Sequence, residues 1–299
     1  MKRLLCLAVA CAMAAPASAV TLDGSIAGDG YTLFSTQTVN TQFGDASPDG
    51  GSELNAAWAQ IQGSTLYLTL TGNLEGNFNK LNVFIDSVPG GENVITNDIN
   101  NGGNNPTNDG WASKYAGFTF VSGFTADYLM IMRNGNGNQF DFDFNSVGNT
   151  SVVEASGNIF SGSTQGSNAS VGASGIGVAF NNSNTAGVVG GTDAANAAAA
   201  QAVQTGIELA IPLAAIGNPD PSSIKVTAMI NGSNHDYLSN QFLPGLNPPQ
   251  GNLGGDGTGT WTGTVGQIDL NNFVVPEPTS LALLGLSLAG LACGRGRRS

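Results

Sequence analysis

The sequence predicts an all-β protein: an antiparallel β-sandwich of jelly-roll type, with long Gly/Asn/Ser-rich loops and short hydrophobic helices at the N- and C-terminal ends. Three observations predict it. With 43 Gly, 12 Pro and only 10% charged residues, the composition argues against a helical bundle, while 41% hydrophobic residues suffice to bury a core. Apolar and polar residues alternate with a period of two from end to end, the signature of half-buried antiparallel strands. Clusters of Gly, Asn and Asp separate these runs, as turns that need left-handed backbone demand.

The elements follow in order. Strands are expected at 31–38 and 53–62, the second holding Trp58 in the core. In 65–71, Leu66, Leu68 and Leu70 face one way while Thr65, Tyr67, Thr69 and Thr71 face the other. Leu81, Val83 and Ile85 alternate with Asn82, Phe84 and Asp86; Phe140, Phe142 and Phe144 with Asp141, Asp143 and Asn145. Ile224, Val226, Ala228 and Ile230 alternate with Lys225, Thr227 and Met229. Further strands are expected at 117–121, 127–133, 205–211 and 266–274. In each alternating run one face is expected in a core and the other in water. Only the alanine-rich run 194–203 reads as helix, with one more turn at 212–216. Two low-complexity stretches, 97–109 and 161–191, read as long loops interrupting one sandwich. The chain therefore divides into a signal peptide at 1–19, a single sandwich domain at 20–274 and a tail at 275–299.

Charge restricts the partners. Lys2, Arg3, Arg295, Arg297 and Arg298 hold five of the nine basic residues at the chain ends. Only Lys80, Lys114, Arg133 and Lys225 remain between them, against every acid of the 21 except Glu277. A body this acidic repels phosphate backbones and anionic lipid surfaces, so nucleic acid is excluded as a partner, while neutral sugars and cations fit. Cys6, Cys11 and Cys293 all lie in the terminal apolar runs. The body thus has neither a disulfide framework nor thiol chemistry.

The two ends read as export signals. Lys2-Arg3, the apolar stretch 4–15 and the small residues Ala17-Ser18-Ala19 form a secretory signal, with cleavage set by Ala17 and Ala19 before Val20. A lipoprotein cleavage at Cys11 is the weaker alternative, because the apolar run continues past the cysteine. At the other end, 280–294 gives about fifteen small or apolar residues, short of the roughly twenty that span a bilayer comfortably. Arg295, Arg297 and Arg298 behind it act as a stop-transfer cluster that stays cytoplasmic. Pro276 and Pro278 bar the helix from extending upstream. The segment reads as a transient membrane insertion or a plain tail anchor, and composition ranks the two level.

Val275-Pro276-Glu277-Pro278-Thr279-Ser280, the apolar run and Arg297-Arg298 together resemble the PEP-CTERM sorting signal of Gram-negative bacteria. The resemblance implies that Pro276, Glu277 and Pro278 are recognised by an exosortase, that the chain is cleaved nearby, and that the product is a surface or extracellular protein associated with exopolysaccharide and biofilm matrix. The body carries a looser likeness. Leu22-Asp23-Gly24, Gly72-Asn73-Leu74, Phe78-Asn79-Lys80-Leu81, the segment from Thr205 through Glu208 to Leu213, and Leu238-Ser239-Asn240-Gln241-Phe242 resemble uncharacterised PEP-CTERM proteins. The Asp-Gly opening and the Glu-x-x-Ile-Pro-Leu segment are also similar to sandwiches of the DOMON and family-nine carbohydrate-binding type, which bears on fold rather than ligand.

Chemistry is sparse. His235 is the single histidine; with no Gly-x-Ser-x-Gly elbow it reads as a loop residue making a local hydrogen bond. Zinc would need further soft ligands, and no phosphate-binding glycine loop fits. So many acids make any carboxylate pair uninformative, and the chain is expected to be non-catalytic. Calcium is the one candidate cofactor: Asp45, Asp49 and Glu53 surround a Pro-Asp-Gly-Gly turn, and Asn134, Asn136 and Asn138 precede Asp141 and Asp143. For a sugar ligand such as exopolysaccharide, Trp111 and Trp261 in polar turns are the candidate platforms.

Overall fold

A computed structural model of the chain describes residues 19–43, 51–96, 114–135, 139–148, 153–254 and 266–271. Within it, alternation builds two antiparallel sheets that share one core. The first sheet runs β1 (Thr32–Thr36), β2 (Glu53–Gln62), β3 (Thr65–Asn73), β10 (Gly206–Pro212), β9 (Ile176–Phe180) and β8 (Gly166–Val171) in spatial order. The second runs β12 (Leu238–Leu243), β11 (Lys225–Asn231), β4 (Lys80–Asp86), β5 (Tyr128–Gly135), β6 (Gln139–Ser146) and β7 (Val153–Ser156), with β13 (Ile268–Asp269) also paired to β11. All strand pairs are antiparallel. The β2–β3 hairpin closes through Gly63-Ser64 with Gly63 at φ +58, the glycine-first turn whose twist suits paired strands.

Leu66, Leu68, Leu70, Ile207, Leu209 and Ile211 from the first sheet meet Leu81, Val83, Ile85, Met130, Phe142 and Phe144 from the second in one buried cluster. Residues 20–273 form a single compact unit around it. The α-helix α1 (Ala197–Ala202) is short. It starts at Asn196, whose side-chain oxygen accepts from the backbone N–H of Ala198 and Ala199. The turn expected at 212–216 is a 3-10 helix at Leu213–Ile216.

The structure corrects the sequence reading in several places. The expected loop 161–191 contains β8 and β9, and β7 and β12 also escaped notice. β8 is an exposed edge strand with little apolar content, whereas β9 is apolar and buried but only five residues long, and β12 buries three polar residues among its six. The expected strand at 117–121 is only an isolated bridge between Val94 and Thr119. Its aromatic residues serve another purpose: Tyr115, Phe118, Phe120 and Phe124 pack on the outer face of the second sheet against Phe84, Leu129, Ile131, Met229 and Phe242. That face was expected in water. It is a second core, so β4 and β5 are buried along both faces. Trp58 is not in the sandwich core. The alternation puts Ala57 and Ala59 inward and turns Trp58, half-buried, to the outer face of the first sheet. The remaining strand from 266 onward shrinks to β13, and residues 97–109, the terminal hydrophobic helices and the tail lie outside the described residues. Among the described residues, no helix is long and apolar enough to cross a membrane.

Candidate functional site

Two sequence motifs far apart in the chain meet on the outer face of the first sheet. Glu208 of β10 is fully buried, and its Oε2 accepts from the backbone N–H of Asp23 at 2.9 Å and of Gly24 at 2.8 Å. Its Oε1 accepts from Tyr31 Oη at 2.6 Å. Gly24 sits at φ +78, and a Cβ there would come within 2.7 Å of the Asn181 nitrogen, so only glycine fits under this strap. Burial raises the Glu208 pKa, and the three donors pull it partly back. The Asp-Gly opening and the Glu-x-x-Ile-Pro-Leu segment are therefore two halves of one clamp. It fastens the chain a few residues after Ala19, which is exposed; Ala17 lies outside the described residues.

The outer face of the second sheet carries an open polar pocket of about 400 Å³. It is lined by Phe78, Lys80, Arg133, Gln139, Asp141, Ser233 and Asn234. Strand register assembles it: Lys80 of β4 lies opposite Arg133 of β5, which lies opposite Asp141 of β6. All three lie on the same outer face as the second core and are themselves buried. Arg133 makes a two-pronged pair with buried Asp143, at 2.5 and 3.2 Å, and its Nε lies 3.7 Å from Asp141. Asp141 also accepts from Gln139 Nε2 at 2.7 Å and from the backbone N–H of Asn158 at 2.8 Å. The Lys80 ammonium donates to the Ser233 carbonyl.

The loop that brings Ser233 and Asn234 to the pocket is held from behind by His235. The sequence reading made this a local loop contact; the structure makes it a long-range one. His235 is completely buried at φ 63, with Nδ1 2.9 Å from the Tyr115 hydroxyl 120 residues away. Tyr115 donates to Asn82 Oδ1 at 2.9 Å and accepts from Asn231 Nδ2 at 2.7 Å. Desolvation first, then Lys80, Arg133 and Lys114, holds the His235 pKa well below its usual value, so the ring is neutral.

Of the predicted calcium set, Asp45 and Asp49 lie outside the described residues. Glu53 begins β2, buried, with Oε1 accepting from Asn55 Nδ2 at 2.9 Å and Asn184 Nδ2 at 2.7 Å. Burial pushes its pKa up to about 7. Asn136 and Asn138 are also outside, while Asn134 donates to the Leu74 carbonyl at 2.6 Å. No cluster of three His, Cys, Asp or Glu side chains with metal-binding geometry occurs among the described residues. Trp111 and Trp261, the predicted sugar platforms, lie outside them as well. Sequence reasoning missed the pocket around Lys80 and Arg133. The signal that could have found it is the placement of two scarce body cations on the polar faces of alternating strands.

Comparison with known proteins adds the decisive fact about the tail. The chain carries a PEP-CTERM protein-sorting motif. The match covers residues 274–298 and takes in Pro276, Glu277 and Pro278 together with Arg295, Arg297 and Arg298. These residues lie outside the described part of the structure. The PEP-CTERM motif marks an exported chain, sorted by its C-terminal signal toward the envelope or surface of a Gram-negative cell, with an exosortase as processing partner. No curated protein and no solved structure matches the chain.

Proposed function

We propose that this chain is a non-catalytic protein of the cell surface or extracellular matrix, contributing structure or adhesion in an exopolysaccharide or biofilm setting. The observation that carries the reading is the PEP-CTERM motif at 274–298, joined to a body whose described part is a two-sheet antiparallel β protein. The body's make-up supports it. It is acidic and free of cysteine, and its buried carboxylates and single histidine are engaged in fastening loops and strands. In this reading the tail inserts transiently, the basic cluster stalls it, and exosortase cuts near Pro276-Glu277-Pro278. A jelly-roll strand order and kinship with DOMON and family-nine sandwiches belong to the same proposal, supported by two antiparallel sheets.

Mass spectrometry of the mature C-terminus tests the sorting half. Cleavage near Pro278 is expected; a mature chain ending in Ser299 would refute processing and make the tail a lasting anchor. Deletion of the chain's gene tests the matrix half: unchanged cohesion and retention of polysaccharide at the cell surface would remove the structural or adhesive role. The alternative is a carbohydrate-binding module acting through Trp111 and Trp261, which lie outside the described residues.

A further inference from the structure

We infer that the Ala19–Val20 bond is open to a signal peptidase only before residues 20–31 close on the first sheet, so that loss of the leader precedes that closure. This rests on the reading of residues 1–19 as a secretory signal and adds the step that limits its removal.

The strap leaves the scissile bond no slack. Val20 N–H donates to Gln62 Oε1 at 3.3 Å, and the Leu22 carbonyl accepts from Ser167 Oγ at 2.7 Å. The Leu22 side chain lies on Gly177, where an added Cβ would come within 2.8 Å of its Cδ2. Asp23 and Gly24 are fixed to Glu208, and the Gly24 carbonyl accepts from Gly206 N–H at 3.0 Å. Ile26 N–H donates to the Gln204 carbonyl at 2.9 Å, and Tyr31 closes the far side on Glu208. Strands β2, β8, β9 and β10 thus all hold the residues that directly follow the bond. A peptidase takes its substrate as extended chain and bonds to the backbone beside the cut, which these contacts already occupy. Cleavage of the closed form therefore runs through the small fraction whose strap is off the sheet.

Chain threading imposes no order of its own. Val20 leaves the body beside Gln62, at the β2–β3 turn. Leu270 leaves it beside Ile224, next to the pairing of Asp269 with Lys225 and of Lys225 with Asp86. Leu213 N–H donates to the Ser64 carbonyl at 2.8 Å, and Ser87 Oγ to the Ile216 carbonyl at 2.9 Å, which puts both exits at one end of the body. The body can close with both chain ends held at one membrane, so the order is set by the strap. The C-terminal side has no such limit. Leu270 N–H bonds to the Ile224 carbonyl at 2.9 Å, and residues 271–275 then give up to about 17 Å of extended chain before Pro276.

The cut also tightens the strap. Water adds its hydroxyl to the Ala19 carbonyl carbon and its hydrogen to the Val20 nitrogen, which takes a further proton to become an ammonium. Gln62 Oε1 then accepts from a charged donor in place of a neutral amide.

The test presents the purified full-length precursor, folded in detergent, to a Gram-negative signal peptidase and follows release of the chain beginning at Val20 by mass spectrometry. A variant with Gly-Ser-Gly-Ser-Gly-Ser inserted between Thr21 and Leu22 keeps the clamp and frees the bond. It should be cut about tenfold faster than the parent, or more, at an unchanged unfolding midpoint. Glu208→Ala and Gly24→Ala open the strap and should also speed the cut. Equal rates for the parent and the insertion variant overturn the inference. An insertion variant that is not cut after Ala19 removes the leader reading, and the inference with it.

Discussion

Glu53 should make the stability of this chain fall as pH rises through neutrality, and Glu53→Gln should remove that fall. The carboxyl is buried at the start of β2 beside a cavity of about 10 Å³ lined by Leu54, Leu70, Leu74, Phe180 and Ile230. Desolvation raises its pKa from 4.5 to about 7, opposed only in part by the Asn55 and Asn184 amides. A folded pKa above the unfolded value means that the native state holds the proton more tightly. The resulting stability is full below about pH 4.5 and lost as pH rises through about 7. A shift of that size corresponds to about 3 kcal/mol at pH 8. Glutamine keeps the oxygen that both amides contact and cannot ionise. Glu53→Gln should therefore leave the urea midpoint nearly unchanged at pH 5 and raise stability by about 3 kcal/mol at pH 8. Asp29, Asp127 and Glu208 also have raised pKa values and His235 a lowered one. Their contributions cancel when variant and parent are compared at each pH. Parallel stability profiles for the two proteins from pH 5 to 8 would refute the reasoning, because the carboxyl would then be charged without cost in the native state.

Other substitutions probe the remaining parts of the fold. Phe142→Ala, in the inter-sheet core and 1% exposed, should lower unfolding free energy by about 3–5 kcal/mol with an unchanged denaturant slope. Glu208→Ala leaves the Asp23 and Gly24 amides and the Tyr31 hydroxyl without their acceptor; a loss of about 2–3 kcal/mol is expected, with hydrogen exchange accelerating first at Asp23 and Gly24. His235 is neutral when folded and can charge when unfolded, so it removes stability as pH falls below about 6.5. His235→Asn, which tolerates the positive φ, should flatten that acid-side slope, and an unaltered slope would assign the loss elsewhere.

How far the sequence could be read depended on whether the information was local. The strands with strict alternation, such as Leu66-Leu68-Leu70 and Phe140-Phe142-Phe144, were legible because a period of two records which face is inside. The same period could not tell water from a second layer. Phe84, Leu129 and Ile131 on the polar-reading faces were hints, but the cover that buries them comes from Tyr115, Phe118, Phe120 and Phe124, a segment whose own hydrogen bonds are mostly isolated. β8 was illegible for the opposite reason: an edge strand with exposed Gly, Ser and Asn carries no apolar signal. The tail was the most legible part, because an exosortase must read it as linear sequence. The pocket was the least. Lys80, Arg133 and Asp141 become neighbours only through the register of three strands.

The sheet edges bear on what kind of surface protein this is. A matrix component works at high local concentration, where an open strand edge invites pairing with a second copy. Three of the four path-end strands in the two sheets break their ladders: the register shifts between Leu33 and Ser35 in β1, between Asn168 and Val171 in β8, and opposite β12 between Met229 and Asn231 of β11. The fourth, β7, is only four residues long. Bulges and short edges blunt strand addition. Self-assembly through β-edge pairing is thus disfavoured by the fold, and any contact between copies would fall instead to side-chain surfaces. The consequence is measurable. The folded chain should stay free of thioflavin-positive fibrils even at high concentration. Fibril growth from the unmodified chain would refute this and place cohesion at the edges.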